Sequence, residues 1–181
     1  NTSYRLRAVQ SLKDDKITDL WKQFIFYHTS SKFTEELFEI FNEPLKSIYN
    51  ASKDNLPNQN NTGIRFTGKH KFNTDCQIVI NTPTSGDTTV IEPHLDNAKE
   101  LYAGLLYMKD PKDDSSGGNL TTHKFKDKPI FYGKSRVKHE NISLIEEIEY
   151  KQNRLVMFLN SPRSIHGVTK RSKTNFYRKY V

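Results

Sequence analysis

The sequence predicts an α+β chain, mainly β with N-terminal helices, whose core is a double-stranded β-helix, a cupin-like jelly roll flanked by those helices. Three observations lead there. In the first third, apolar residues recur at helical spacing: Phe33, Leu37, Phe38, Phe41, Leu45 and Ile48. From about residue 64 the period becomes strand-like. After residue 74, eight strand candidates follow, most of them separated by turn-forming residues. The 181 residues suit one domain, with 1–63 as helical support and 64–181 as the jelly-roll core.

Each element has a local reason. Residues 4–10 alternate weakly and read as an edge strand. Ser11 to Leu20 reads as a short helix, and Trp21 to Tyr27 is aromatic and ambiguous in type. Ser30-Ser31 supplies hydroxyl caps, with Glu35 and Glu36 in the first turn of the helix that follows. Pro44 is expected to kink or divide that helix. Asn50 to Asn61 is a loop, rich in Asn, Ser, Asp and Pro. Gly63 to Phe72 holds a short preliminary strand. The eight candidates are then 75–82, 88–96, 101–109, 118–125, 143–150, 154–160, 165–169 and 175–181. Within the sixth, Leu155-Val156-Met157-Phe158-Leu159 reads as a strand buried on both faces.

Composition narrows the class. Hydrophobic content is 34% and charged content 27%, which fits a globular chain and not a disordered one. No apolar run is long enough to span a bilayer. Cys76 is the single cysteine, so no internal disulfide forms, and a cytoplasmic, reducing setting is expected. The net charge of +7 favours anionic partners, so the substrate is expected to be a small molecule or peptide, plausibly anionic. The positive residues are scattered, which argues for a solvated surface over a nucleic-acid footprint.

One strand candidate ends in Glu92-Pro93-His94-Leu95-Asp96. Residues two apart on a strand point to the same side, so His94 and Asp96 aim an imidazole and a carboxylate into one space. His166 lies 70 positions beyond Asp96. Closure of a jelly roll sets its second and seventh strands side by side, which is the separation this requires. Two histidines and one carboxylate on one face of a metal form the facial triad of non-heme Fe(II) oxygenases. Arg178, on the last strand candidate, could grip a carboxylate bidentately.

The segments Glu92-Pro93-His94-Leu95-Asp96, Gly104-Leu105-Leu106-Tyr107-Met108, Gly117-Gly118-Asn119-Leu120 and 158–168 together resemble the 2-oxoglutarate/Fe(II)-dependent dioxygenase superfamily, in its prolyl 4-hydroxylase-like branch. The resemblance covers roughly residues 75–181. It implies that His94, Asp96 and His166 are the metal ligands and the catalytic centre. It also implies Fe(II), 2-oxoglutarate as cosubstrate, and O2. The far carboxylate of 2-oxoglutarate is assigned to Arg178, with Arg171 as second choice and Asn81 as a further polar contact. The implied reaction hydroxylates an unactivated C–H bond and releases succinate and CO2. A carboxylate at Asp96 favours hydroxylation over halogenation, because related halogenases lack it. Arg163, Arg136 and His139 are candidates to touch substrate, the last two from a long stretch, 126–141, that could serve as a lid.

Two other readings compete. A cupin-type metalloenzyme that does not use 2-oxoglutarate would share the fold and histidines but leave Arg178 structural. A non-catalytic, basic nucleic-acid-binding module would need aromatics interleaved with Lys and Arg on an exposed sheet. The aromatics here fall at core positions of helices and strands, which ranks that module last.

Overall fold

A computed structural model of the protein describes residues 2–49, 56–86, 91–131 and 135–181. Among the described residues strands dominate, and the α-helices lie in the first 49 residues. The chain divides into two compact units, Tyr4–Val79 and Asn1–Ser3 with Ile80–Val181.

The chain opens with β1 (Ser3–Leu6), which covers only the first part of the expected edge strand 4–10; Ala8, Val9 and Gln10 are helical instead. It then turns into α1 (Ala8–Ser11), α2 (Asp19–His28), α3 (Ser31–Ile40) and α4 (Asn42–Tyr49). The expected helix over Ser11–Leu20 does not form. Between α1 and α2, the Asp14 carboxylate accepts from the Lys16 amide at 2.9 Å. Such a local bond offers the backbone an alternative to helix. The ambiguous segment Trp21–Tyr27 is instead the body of α2. α3 is capped as expected, with the Ser30 hydroxyl accepting from the Phe33 amide at 3.2 Å, but the helix begins at Ser31, so Glu35 and Glu36 fall beyond its first turn and not within it. The expected break falls at Phe41, leaving Pro44 in the first turn of α4, where a missing N–H disrupts nothing.

Ala8, Ile25, Leu37, Phe38 and Leu45 are the buried apolar side chains of these helices. The preliminary strand appears as β2 (Thr62–Ile64), paired in parallel with β3 (Phe72–Thr74). The Thr74 hydroxyl donates to the Thr29 carbonyl at 2.7 Å, fastening β3 to the end of α2. Of the expected loop Asn50–Asn61, residues 50–55 lie outside the described residues.

The remaining strands are β4 (Ile78–Asn81), β5 (Tyr102–Tyr107), β6 (Leu120–Phe125), β7 (Ile142–Ile148), β8 (Arg154–Leu159), β9 (Ile165–Val168) and β10 (Arg178–Tyr180). Each overlaps an expected strand. The exception is the candidate 88–96: residues 88–90 lie outside the described residues, and residues 91–96 carry two isolated bridges at His94, to Arg136 and to His166. One sheet runs in the order β1-β4-β10-β5-β8 and another β7-β6-β9. Tyr107, Leu120 and Tyr150 form one buried cluster, joined by Leu105, Ile148, Val156, Phe158 and Tyr180.

The reading of 155–159 as buried on both faces is corrected. β8 ends its sheet, and Leu155 is 53% exposed. Val156 and Phe158 pack on the core, and alternate residues face opposite sides, so Leu155 lies on a face that is open there.

Gly117 and Gly118 both adopt φ of +74°, a region side chains disfavour. A Cβ on Gly117 would also fall 1.8 Å from the Lys170 carbonyl oxygen, whereas one on Gly118 would meet nothing nearer than 3.5 Å. Gly117→Ala is therefore expected to lower the melting temperature clearly more than Gly118→Ala. Equal losses would mean that backbone conformation alone matters at this turn.

Candidate metal centre

Two backbone hydrogen bonds build the centre. The His94 amide donates to the His166 carbonyl at 2.9 Å, and the His166 amide returns the bond to His94 at 3.0 Å. Directly paired residues project their side chains to the same face. The two rings accordingly lie 4.5 Å apart, centroid to centroid. Asp96, two residues beyond His94, joins them from the same side. Its Oδ1 is 3.6 Å from His94 Nε2 and its Oδ2 is 3.6 Å from His166 Nε2. One donor atom from each of the three residues lies within 4.8 Å of the others.

Tautomers follow from the partners. His94 Nδ1 is 2.9 Å from the Glu92 carbonyl oxygen, and His166 Nδ1 is 3.0 Å from that of Ser164. A carbonyl only accepts, so both Nδ1 atoms carry the proton and both Nε2 atoms present a bare lone pair. This is the outer-sphere arrangement that orients metal-ligating histidines. Protonation agrees. Burial holds the His166 imidazole below its ordinary value, the His94 charge adds to this, and the Ser164 carbonyl and Asp96 oppose it. Burial pushes the Asp96 carboxyl up, but contact with His94 and the charges of His166 and His94 bring the net below the usual range. Metal ligands must be deprotonated, and the lowered values of His166 and Asp96 both favour that form. Two imidazole nitrogens and a carboxylate suit Fe(II) in chemistry as well as in geometry.

The three cosubstrate candidates sit in different surroundings. Arg178, on β10, is 2% exposed. Its Nε and Nη2 both donate to the Gly118 carbonyl, at 3.2 and 3.1 Å. The rings of Tyr180, Tyr150 and Tyr107 surround the guanidinium at 4.7, 4.9 and 5.2 Å. Arg171 is also buried, but each of its nitrogens is engaged. Nη2 donates to Asp113 Oδ2 at 2.6 Å, Nε to the Ser115 hydroxyl at 3.0 Å and Nη1 to the Phe176 carbonyl at 3.1 Å. Asn81, at the end of β4, is 2% exposed, and its Oδ1 is buried without a hydrogen-bond partner. The Tyr107 hydroxyl is likewise buried and unpartnered. Buried polar atoms without partners are rare; the Tyr107 hydroxyl could donate to a carboxylate, whereas Asn81 Oδ1 only accepts and calls for a donor.

Sequence reasoning passed over the carbonyls of Glu92 and Ser164, which orient the rings. The i−2 spacing before each histidine is the signal, but backbone conformation decides whether it is used. Tyr107 and Tyr150 are buried core residues, and their place beside Arg178 depends on sheet register. His123 is buried, with Nε2 2.9 Å from the Thr121 hydroxyl. Arg163 and His139 are exposed, and His139 Nε2 contacts Glu92 Oε2 at 2.9 Å.

No curated protein and no solved structure matches the chain. The sequence model of the 2OG-Fe(II) oxygenase superfamily matches residues 78–181, from β4 through β10. That span is more than half of the chain and includes all three clustered donors, so the protein belongs to the 2OG-Fe(II) oxygenase superfamily, whose members use Fe(II), 2-oxoglutarate and O2.

Proposed function

We propose that His94, Asp96 and His166 bind one Fe(II), that Arg178 holds the far carboxylate of 2-oxoglutarate, and that the protein hydroxylates an unactivated C–H bond. The observation that carries the reading is the convergence of three donor atoms within 4.8 Å, with both histidines fixed in the Nδ1–H tautomer. Iron with its cosubstrate supplies the oxidising power, 2-oxoglutarate leaving as succinate and CO2. The chain's own residues hold and orient. The carbonyls of Glu92 and Ser164 keep the rings turned inward. The carboxylate of Asp96 occupies a coordination position that a halide would otherwise need, which favours hydroxylation. The Gly118 carbonyl orients the Arg178 fork, and Asn81 offers a second polar contact.

Arg178 is preferred over Arg171 because Arg171 already satisfies Asp113, Ser115 and Phe176. The same reading takes residues 64–181 as one jelly-roll oxygenase domain, with the helices preceding it in the chain, and motif order supports the prolyl 4-hydroxylase-like branch. A cytoplasmic setting belongs to it too, on the strength of a single thiol, Cys76, which is buried. No described helix is long and apolar enough to cross a membrane.

The test is succinate formation from 2-oxoglutarate by the iron-loaded protein. In Arg178→Met the KM for 2-oxoglutarate is expected to rise about 10- to 100-fold, the worth of a charged hydrogen bond. Oxidation that proceeds without 2-oxoglutarate, or a KM unmoved in that variant, contradicts the assignment.

A further inference from the structure

Segment 135–137 pairs with the segment that carries His94 through an isolated antiparallel bridge. The Leu95 amide donates to the Ser135 carbonyl at 2.9 Å and the Val137 amide to the Pro93 carbonyl at 3.0 Å. Those bonds flank the pair His94↔Arg136 without involving it. His94 and Arg136 are thus a non-hydrogen-bonded antiparallel pair, the type whose side chains approach most closely. On its other side His94 pairs with His166, and His166 pairs with Thr122. Arg136, His94, His166 and Thr122 therefore form one row across the sheet.

The alternate residues fix which way the row faces. Val137 and Ile165 are buried in one cluster, with Leu95 packed against it. Side chains alternate along a strand, so Arg136, His94 and His166 share the opposite face. That is the face on which Asp96 completes the set of donors.

Arg136 is exposed, and among the described residues it has no ion-pair partner. The acids nearest in the same strand are otherwise engaged: Glu92 contacts His139 at 2.9 Å, and Asp96 lies between the two imidazoles. Its root, directly opposite His94, is about 5 Å from that residue's Cβ. A guanidinium on a three-carbon stem can reach over the donor cluster from there.

Resting on the oxygenase reading above, we propose that Arg136 is a specificity-determining residue that binds an anionic group of the substrate, a carboxylate or a phosphate, beside the metal. A planar fork pairs with either bidentately. The net charge of +7 draws such molecules toward the protein.

The test uses matched probes on the full chain loaded with Zn(II) in place of Fe(II), with 2-oxoglutarate saturating, so that nothing turns over. Binding of N-acetyl amino acids is compared by NMR with that of their amides, and of ribose 5-phosphate with that of ribose. At least one anionic probe is expected to bind about 10- to 100-fold more tightly than its neutral twin. The preference disappears in Arg136→Gln and is partly kept in Arg136→Lys, which retains charge without the fork. Which pair discriminates separates a carboxylate substrate from a phosphate one. A preference that survives in Arg136→Gln, or neutral twins that bind as well as the anions, overturns the proposal. Calorimetry of metal and 2-oxoglutarate binding to the wild-type chain runs alongside. If neither binds, the oxygenase reading itself fails and the proposal falls with it. If both bind without anion preference, only the role of Arg136 is refuted.

Discussion

Replacing His166 with alanine is expected to abolish stoichiometric Fe(II) binding and, with it, succinate formation. Losing an outer-sphere partner of a metal ligand costs about 10- to 100-fold in affinity or activity, so losing the ligand should cost more. The expectation is sharper here because the fold should survive. The pairing with His94 runs through backbone amides and carbonyls, which alanine retains. The ring lies against Phe158 at 4.8 Å, so a small cavity opens, but no buried charge is stranded. Metal analysis after gel filtration, read beside the circular-dichroism melt, checks both halves. A folded His166→Ala protein that keeps one tightly held iron would sink the assignment of the centre. His123, buried without a metal partner among the described residues, gives the contrast. His123→Gln is expected to leave iron content intact, because Thr121 and not the metal cluster engages its ring.

Asp113→Ala is expected to destabilise the protein by about 3–5 kcal/mol, because it leaves the Arg171 guanidinium buried without its counter-charge. At about 2–4 °C per kcal/mol for a chain of this size, the melting temperature should fall on the order of 10 °C. The pair is nearly inaccessible, with side chains 4% and 0% exposed. Ser115 donates to Asp113 Oδ1 from its hydroxyl at 2.6 Å and from its amide at 3.1 Å. Arg171 in turn fixes the Phe176 carbonyl, two residues before Arg178. The network thus ties the turn before β6 to the turn before β10, and loss of Asp113 should also loosen the grip on 2-oxoglutarate. Removing both charges, as in Asp113→Leu with Arg171→Met, should recover part of the stability, since neither charge is then stranded.

The same pair sets an acid limit. Burial raises the Asp113 carboxyl, but the Ser115 hydroxyl and amide and the Arg171 charge outweigh it, so the folded value lies below the ordinary one. A depressed carboxylate contributes stability that is fully present above its unfolded value, about 4, and is lost as pH falls through the lower folded value. Wild-type melts should therefore steepen in their pH dependence below about pH 4, and the Asp113→Leu/Arg171→Met protein should show less of it.

Much of this was legible in order along the chain. Ser30 caps the helix it was expected to cap, and the strand candidates from residue 101 onward each overlap a strand, because turn chemistry and period-2 alternation act locally. The His-x-Asp spacing also worked locally, since two residues on an extended segment share a face whatever else the chain does. Local rules failed where a competing local bond intervened or where covering of a face depended on distant packing. Asp14 competes with helix between α1 and α2, and one face of β8 is left open at Leu155.

Residue types and their intervals, by themselves, determined which groups could bind iron, that they had to come from two distant segments, and that an arginine near the C-terminal end could meet a diacid. Tertiary structure decided the rest. It turned both Nδ1 atoms onto carbonyls, engaged Arg171 with Asp113 so that Arg178 stands available, and set Arg136 opposite His94. The reason is register. Which residue faces which across a sheet depends on hydrogen bonds between segments far apart in sequence, and a slip of one residue would send every one of these side chains to the other face.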